Sequence, residues 1–232
     1  MTELSPAVTR MREIVADNAA LLKREGFRKR RTGFNREVAD GLVQVVYFWM
    51  APKEPPAWTP VPGLRERLYG TFRIDFGVRV PEMTRRNVFQ GSWTNIYNCH
   101  LQESVGDLMN VKSPGGFLWD LDDPDASNHA AQGLTDFGLP WLDQFRSATD
   151  IIDAFQKSGW RPMGLYPASA LDIVDLLRAR GDMAQARVVI EQYVGSPVLH
   201  THAEYLEGYL KGRGYDDLVP MITTRAWSAS GS

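Results

Sequence analysis

The sequence predicts an α+β fold: an antiparallel sheet of about four to five strands with an N-terminal helix packed on it, and a C-terminal helical subdomain. Residues 71–80 alternate between apolar and polar or small side chains, which is the period of a half-buried strand. Residues 42–50 are apolar on both faces and rich in β-branched and aromatic residues, which is typical of a central strand. After about residue 125, apolar residues recur at helical spacing, which predicts the helical part.

The N-terminal elements are predicted by capping and turn residues. A helix begins at Pro6, where Ser5 is a suitable N-cap, and we expect it to end at Gly26. The basic residues 27–31 then form a strand. The turn signal Asp40-Gly41 predicts a hairpin between this strand and the central strand. Because the central strand is apolar on both faces, we expect the C-terminal helices to cover its second side.

The remaining elements are predicted from prolines, which interrupt regular structure, and from the periodicity of apolar residues. Residues 51–63 contain five prolines, which exclude a regular element there. We expect a helical turn at 64–69 and two further strands at 99–101 and 117–121. The predicted helices span 125–137, 140–146, 149–158, 167–180, 183–194, 201–212 and 215–224.

Length and composition are those of an ordinary globular protein, with 232 residues, 44% of them hydrophobic and 23% charged. We predict an α+β domain over residues 1–146, a helical subdomain packed on it over residues 147–226, and a disordered tail over residues 227–232. The single cysteine, Cys99, excludes an intrachain disulfide. The N-terminus lacks the apolar core of a signal peptide, and no apolar run approaches the roughly 18 residues of a membrane helix. We therefore expect a cytoplasmic protein with no membrane partner.

Charge is distributed unevenly along the chain, although the formal net charge is only −2. Residues 1–100 carry 16 Lys and Arg against 10 Asp and Glu, whereas residues 101–232 carry 10 against 18. Two opposite fields on one chain either attract each other or mark a face for a charged partner. The sequence leaves both possibilities open.

Several hydrophobic-pattern motifs follow one another over residues 5–145. They are Leu22-x-x-x-Gly26-Phe27-Arg28-Lys29-Arg30, Phe34-x-Arg36, Val43-Gln44-Val45-Val46-Tyr47-Phe48, Phe72-x-Ile74-x-Phe76-Gly77-Val78, Cys99-His100-Leu101 and Leu118-Trp119-x-Leu121. In this order they resemble DUF4304, a bacterial family of unknown function. The chain departs from the family after Leu101, where Gln102-Glu103-Ser104 stands near the position at which the family often has an arginine. The resemblance implies a bacterial protein with this fold, comparable in size to immunity or defence accessory proteins.

The best candidate binding surface combines tryptophan and arginine outside the periodic apolar segments, because such residues dominate protein-binding hot spots. The polar side chains of the strand at 71–80 face away from its apolar side, and we expect them to extend this surface. The candidate residues are Trp58, Trp93, Arg85, Arg86, Arg73, Asp75 and Arg79.

A basic run supplies candidate anion contacts at Arg28, Arg30 and Arg31. Such a run binds phosphates in nucleic-acid proteins, and it also keeps an edge strand from aggregating. The overall pI of about 6.1 lies far below the value above 9 that is typical of a dedicated nucleic-acid domain. We therefore expect a nucleic-acid partner only as an alternative.

Catalytic and metal motifs are weak in this sequence. The cluster at Asp122 and Asp123 together with His100 admits a metal-assisted hydrolase as a second alternative. Each carboxylate, however, also suits the start of a helix, and Cys99 beside His100 is best explained as a small buried residue. Nucleotide-binding and nucleophile-elbow motifs are absent from the sequence. We therefore assign no catalytic residue, no metal ligand and no cofactor.

These observations favour binding over catalysis. We predict a non-catalytic macromolecule-binding module of the immunity or defence accessory type, whose partner is another protein. A homo-oligomer is compatible with the sequence.

Overall fold

A computed structural model describes residues 4–52, 68–83, 91–111, 117–158 and 169–225. Their fold is α+β, as predicted. The described residues form two compact units, one up to Ala154 and the other from Phe155 onward. The boundary predicted after residue 146 lies eight residues earlier in the chain, and the predicted tail lies outside the described residues. None of the described helices has the length and apolar character needed to cross a membrane.

The N-terminal helix is divided into two. Helix α1 spans Pro6–Asp17, and the Ser5 hydroxyl accepts a hydrogen bond from the Val8 N–H at 3.4 Å, which confirms the predicted cap. Helix α2 follows at Ala19–Arg24, and Gly26 then takes a φ of +86° that reverses the chain. The buried face of α1 consists of Met11, Ile14 and Val15.

The sheet is antiparallel in the order β1-β2-β3-β4-β5, and a short β6 pairs with the start of β4. Strands β5 and β6 therefore both pair with β4, at different points along its length. The strands are β1 Arg28–Arg30, β2 Gly33–Glu37, β3 Val43–Met50, β4 Thr71–Arg79, β5 Leu101–Ser104 and β6 Trp119–Asp120.

The predicted pairing of the basic strand with the central strand is wrong. A two-residue turn at Arg31 and Thr32 breaks the segment into β1 and β2, and Arg31 adopts the left-handed φ of 56° that this turn requires. Strand β2, not the basic run, pairs with β3. The basic residues of β1 consequently form an outer strand that pairs with β2 alone among the described residues.

The two faces of the sheet have different cover. Residues Phe72, Ile74, Phe76 and Val78 of β4 are fully buried on one face. On the other face, Val45 packs with Ile96 and Cys99, and Cys99 also lies directly over Gly77. We expected the C-terminal helices to cover this second face, but the segment before β5 covers it at these positions.

The rest of the first unit is helical. A short helix α3 at Val105–Leu108 follows β5, and α4 at Ala126–Gly133 runs into a π-helical turn at Leu134–Gly138. Helix α5, Leu139–Leu142, continues directly from this turn. A 3-10 turn at Ile96–Asn98 precedes Cys99.

A buried polar network joins the sheet to the end of α5. Arg36 of β2 is only 8% exposed, and it donates to Gln44 Oε1 of β3 at 2.7 Å and to Asp143 Oδ1 at 2.7 Å. It also donates to the backbone carbonyl of Glu25 at 3.0 Å. The Gln44 amide donates to the carbonyls of Leu142 and Phe145. The polar atoms of two adjacent strands are thereby bonded inside the core.

The second unit is mainly helical. Helix α6, Ala148–Lys157, contains the boundary between the units. It is followed by α7 Ser169–Ala179, α8 Met183–Val194 and α9 His200–Gly212, with a tight turn between α7 and α8 at Gly181, whose φ is +82°. The helix predicted at 215–224 is instead a 3-10 turn at Asp216–Met221 and a short strand β8, Thr224–Arg225, which pairs in parallel with β7, Val198–Leu199.

Candidate functional site

A cleft of about 1220 Å³ lies between α1 and the strands β1 and β3. Its floor is apolar and consists of Met11, Val15, Phe27 and Phe48, all of which are buried. An apolar floor of this kind suits the apolar side chains of a bound molecule.

The rim of this cleft, which we call the basic cleft, carries five exposed cations, and none of the described residues that line it is acidic. Among the residues that the structure describes, none of the five forms an ion pair. Within the described part of the chain, these five charges create a positive potential over an apolar floor. The rim cations are Arg12, Lys23, Arg28, Lys29 and Arg31.

Local structure explains why these cations meet. Lys23 lies in the last turn of α2, where a cation also suits the helix dipole. The chain reversal at Gly26 buries Phe27 and brings Arg28 back beside Lys23. Arg12 comes from α1, on the stripe that includes Val8, Met11 and Val15.

A smaller cavity of about 410 Å³ adjoins the basic cleft and shares Arg31, Thr32 and Tyr47 with it. Its walls include Arg30 and Trp93, and the Trp93 ring lies over Gly33. A β-carbon at Gly33 would lie 3.8 Å from this ring, which is an ordinary van der Waals contact.

Tyr47 separates the two cavities and has a half-buried phenol group. Burial and the neighbouring Tyr97 raise the pKa of Tyr47, against the lowering effect of a hydrogen bond with Thr32. The phenol therefore stays neutral and acts as a hydrogen-bonding group. Tyr97 lies 6.5 Å from it between ring centroids and is 71% exposed, which adds an aromatic surface at this point.

The structure brings several of the predicted site residues together here. Arg28 and Arg31 line the basic cleft, whereas Arg30 and Trp93 line the smaller cavity. The predictions at Trp58, Arg85 and Arg86 lie outside the described residues. The prediction omitted Arg12, although a cation within an apolar helical stripe is a signal that was present in the sequence.

The predicted open face of β4 is partly closed. Arg73 forms an ion pair with Asp75 at 2.9 Å and lies over the Trp49 ring at 5.0 Å. The Asp75 side chain is only 13% exposed, so the expectation that it belongs to an open surface is wrong. Arg79 is half-buried opposite Val43 and is engaged in a contact of its own.

Replacing Asp75 with asparagine is expected to leave stability at neutral pH unchanged or slightly higher. Burial raises the pKa of Asp75, against the lowering effect of Arg73. A carboxyl whose folded pKa is raised binds more protons in the folded state, so stability falls as the pH rises through the interval above its ordinary pKa. In urea unfolding between pH 4 and 7, the free energy of unfolding of Asp75→Asn relative to that of the wild type should therefore increase as the pH rises.

The control for this prediction is Asp153→Asn on an exposed position of α6, which should change the free energy of unfolding by less than about 0.5 kcal/mol. If Asp75→Asn instead lost more than about 1 kcal/mol at neutral pH, the ion pair with Arg73 would outweigh the cost of burial.

The structure does not bring together the residues of the predicted hydrolase alternative. His100 lies at the end of β4, where its Nδ1 accepts a hydrogen bond from the Val80 N–H at 3.0 Å. Asp122 follows β6 at the opposite end, where the Leu121 N–H donates to Gly70. The nine residues of β4 separate these positions by roughly 30 Å.

The acidic cluster around Asp122 instead makes local contacts. The carboxylate of Asp120 accepts from the Asp122 N–H, and that of Asp123 accepts from the Asp125 N–H and pairs with His129 at 3.2 Å. The described residues contain no group of three or more histidine, cysteine, aspartate or glutamate residues placed to hold a metal ion. Cys99 is buried as predicted, and burial raises the pKa of its thiol far above the usual range.

Comparisons of the chain with protein-family models, with curated proteins and with solved structures gave no match. The resemblance to DUF4304 therefore stays a prediction.

Proposed function

We propose that the protein is a macromolecule-binding module that recognises an acidic segment of another protein in the basic cleft. The observation that carries the proposal is the combination of an apolar floor with five exposed rim cations, for which the described residues supply neither an ion-pair partner nor an acidic lining side chain. An acidic segment with apolar side chains matches both features at once, since its carboxylates meet the rim and its apolar groups displace water from the floor.

The shape and chemistry of the cleft favour a protein over a nucleic acid. The floor residues Met11 and Val15 are aliphatic, and the aromatic rings of Phe27 and Phe48 are buried. Single-stranded nucleic acids are bound on exposed aromatic faces, on which successive bases stack. A net charge of −2 also opposes a polyanion more than it opposes a short acidic peptide.

Reversing two rim charges is expected to abolish most of the affinity for acidic peptides. In Lys29→Glu/Arg31→Glu, two attractive contacts become repulsive, and we expect binding to weaken by roughly tenfold or more. Fluorescence anisotropy measures this with labelled peptides that contain glutamate and valine in alternation, or glutamate and leucine at helical spacing. Affinity in the wild type should fall as ionic strength rises.

The matched control is Lys157→Glu, which reverses an exposed cation at the end of α6, outside the cleft. It should change peptide affinity by less than about twofold. If neither peptide binds the wild type, or if both double and control variants bind equally well, the proposal is wrong. If a single-stranded oligonucleotide binds more tightly than either peptide and only the double variant loses it, the nucleic-acid alternative replaces this proposal.

By analogy with immunity and defence accessory proteins, which the DUF4304 family matches in size, we propose a partner that belongs to a bacterial toxin, immunity or defence system. Capture of host proteins on the wild type and on the double variant tests this proposal directly. A partner of this kind with an acidic segment, retained by the wild type and lost by the variant, is the expected result.

A further inference from the structure

We infer that the bound acidic segment is extended and adds to the open edge of β1 as a further strand of the sheet. This inference rests on the proposed function, because it specifies how the same cleft holds its partner. It names the conformation of the partner and the pattern of its side chains.

The edge of β1 is exposed and available for pairing. All three residues of the strand are exposed, and the only ladder that the described residues form with it is the one to β2. Its backbone makes no other hydrogen bond to a described residue. An edge strand presents unpaired N–H and C=O groups at alternate positions, which is the template that strand addition uses.

The charges of β1 select what this edge accepts. Arg28, Lys29 and Arg30 repel a second copy of the same edge, which protects a sheet from pairing with itself. The same three charges attract a strand that carries carboxylates, since opposite charges on adjacent strands stabilise their pairing. The charges of β1 therefore oppose pairing with a second copy of β1 and favour pairing with an acidic strand.

The register of β1 predicts a pattern for the partner. Lys29 pairs with Phe34 and lies on the same face, with its Nζ 5.9 Å from the centre of the Phe34 ring. Phe48 of the cleft floor belongs to this face as well, because Phe34 pairs with Val46 two residues before it. Arg28 and Arg30 belong to the opposite face.

An added strand must follow the same alternation. The partner residue beside Lys29 then lies on the same face of the sheet as Phe34 and Phe48, and its two neighbours lie beside Arg28 and Arg30 on the other face. The pattern is therefore acidic, apolar, acidic, and an alternating glutamate and valine peptide contains it.

N-methylation of the peptide backbone tests this inference, because it removes N–H donors without changing any side-chain charge. In an added strand only every second residue bonds to the sheet edge. We compare the alternating peptide with two derivatives, one N-methylated at the valines and the other at the glutamates. One derivative should lose at least roughly tenfold in affinity, and the other should stay within about threefold of the parent.

The outcomes distinguish strand addition to β1 from recognition of an acidic segment by the basic cleft. If both derivatives bind like the parent peptide, or if only the peptide with helical spacing binds, strand addition is wrong and recognition by the basic cleft stands. If no acidic peptide binds, both are wrong. Amide exchange supplies a second measurement: the parent peptide should slow exchange at those residues of β1 whose N–H groups face the open edge, and unchanged exchange there with peptide bound would overturn the inference.

Discussion

Replacing Arg36 with alanine is expected to lower the free energy of unfolding by about 3–5 kcal/mol, which is the usual cost of breaking a buried charged network. The guanidinium is almost fully buried and donates to Gln44, to Asp143 and to the carbonyl of Glu25. It also stacks over the Phe27 ring at 4.6 Å. Alanine would leave the Gln44 oxygen without its donor and open a cavity beside the ring. Urea denaturation measures the loss.

Arg146 provides the matched control, because it also donates to Asp143 at 2.7 Å but is 57% exposed. We expect Arg146→Ala to cost less than about 1 kcal/mol, as exposed ion pairs usually do. A double-mutant cycle with Asp143→Ala should give a coupling energy above about 1 kcal/mol for Arg36 and one near zero for Arg146. Similar losses for the two arginine variants would mean that the network contributes little and that solvent reaches Arg36.

The strands with a clear local pattern were predictable from sequence. In β4 each apolar residue is buried on one face, because the period of two is a property of the strand itself. The helices at 183–194 and 201–212 were also close to their predicted bounds, since capping and periodicity are local as well. Elements whose bounds depend on the spacing of nearby residues could therefore be predicted without knowledge of the fold.

The position of Gln44 shows where this reasoning ends. In the sequence it interrupts an apolar strand, and nothing nearby explains it. In the structure its amide is bonded to Leu142 and Phe145, about a hundred residues later. Partners at that distance are set by the packing of whole elements, which a single sequence does not specify.

Some features of the candidate site were likewise predictable from the sequence, and others depended on the fold. The basic run at Arg28–Arg30 was visible in the sequence, but its role as an outer strand depended on a left-handed residue, Arg31, where a glycine or asparagine would have signalled the turn. The contribution of Arg12 depended on how α1 lies against β3. The charges of the cleft could thus be predicted in part, whereas its apolar floor could not.

Gly138 is the position at which a single methyl group is expected to do the most damage. Alanine normally stabilises a helix by about 1 kcal/mol relative to glycine. Here, at the end of the π-helical turn, a β-carbon would overlap the ring of Phe76, which is itself completely buried in the sheet. We expect Gly138→Ala to lower the free energy of unfolding by about 3 kcal/mol, which is the upper part of the range for overpacking a core.

A control variant and a double-mutant cycle test whether the loss of stability in Gly138→Ala comes from overlap with the Phe76 ring. Gly208→Ala in α9 is the control, because its β-carbon would have no neighbour within 4 Å and should stabilise the protein by up to about 1 kcal/mol. In Gly138→Ala/Phe76→Leu the smaller side chain makes room, so the double variant should be more stable than the sum of the two single losses predicts. Equal gains for the two glycine variants, or strictly additive losses in the cycle, would show that the close approach of Gly138 to Phe76 does not hold the π-helical turn against the sheet.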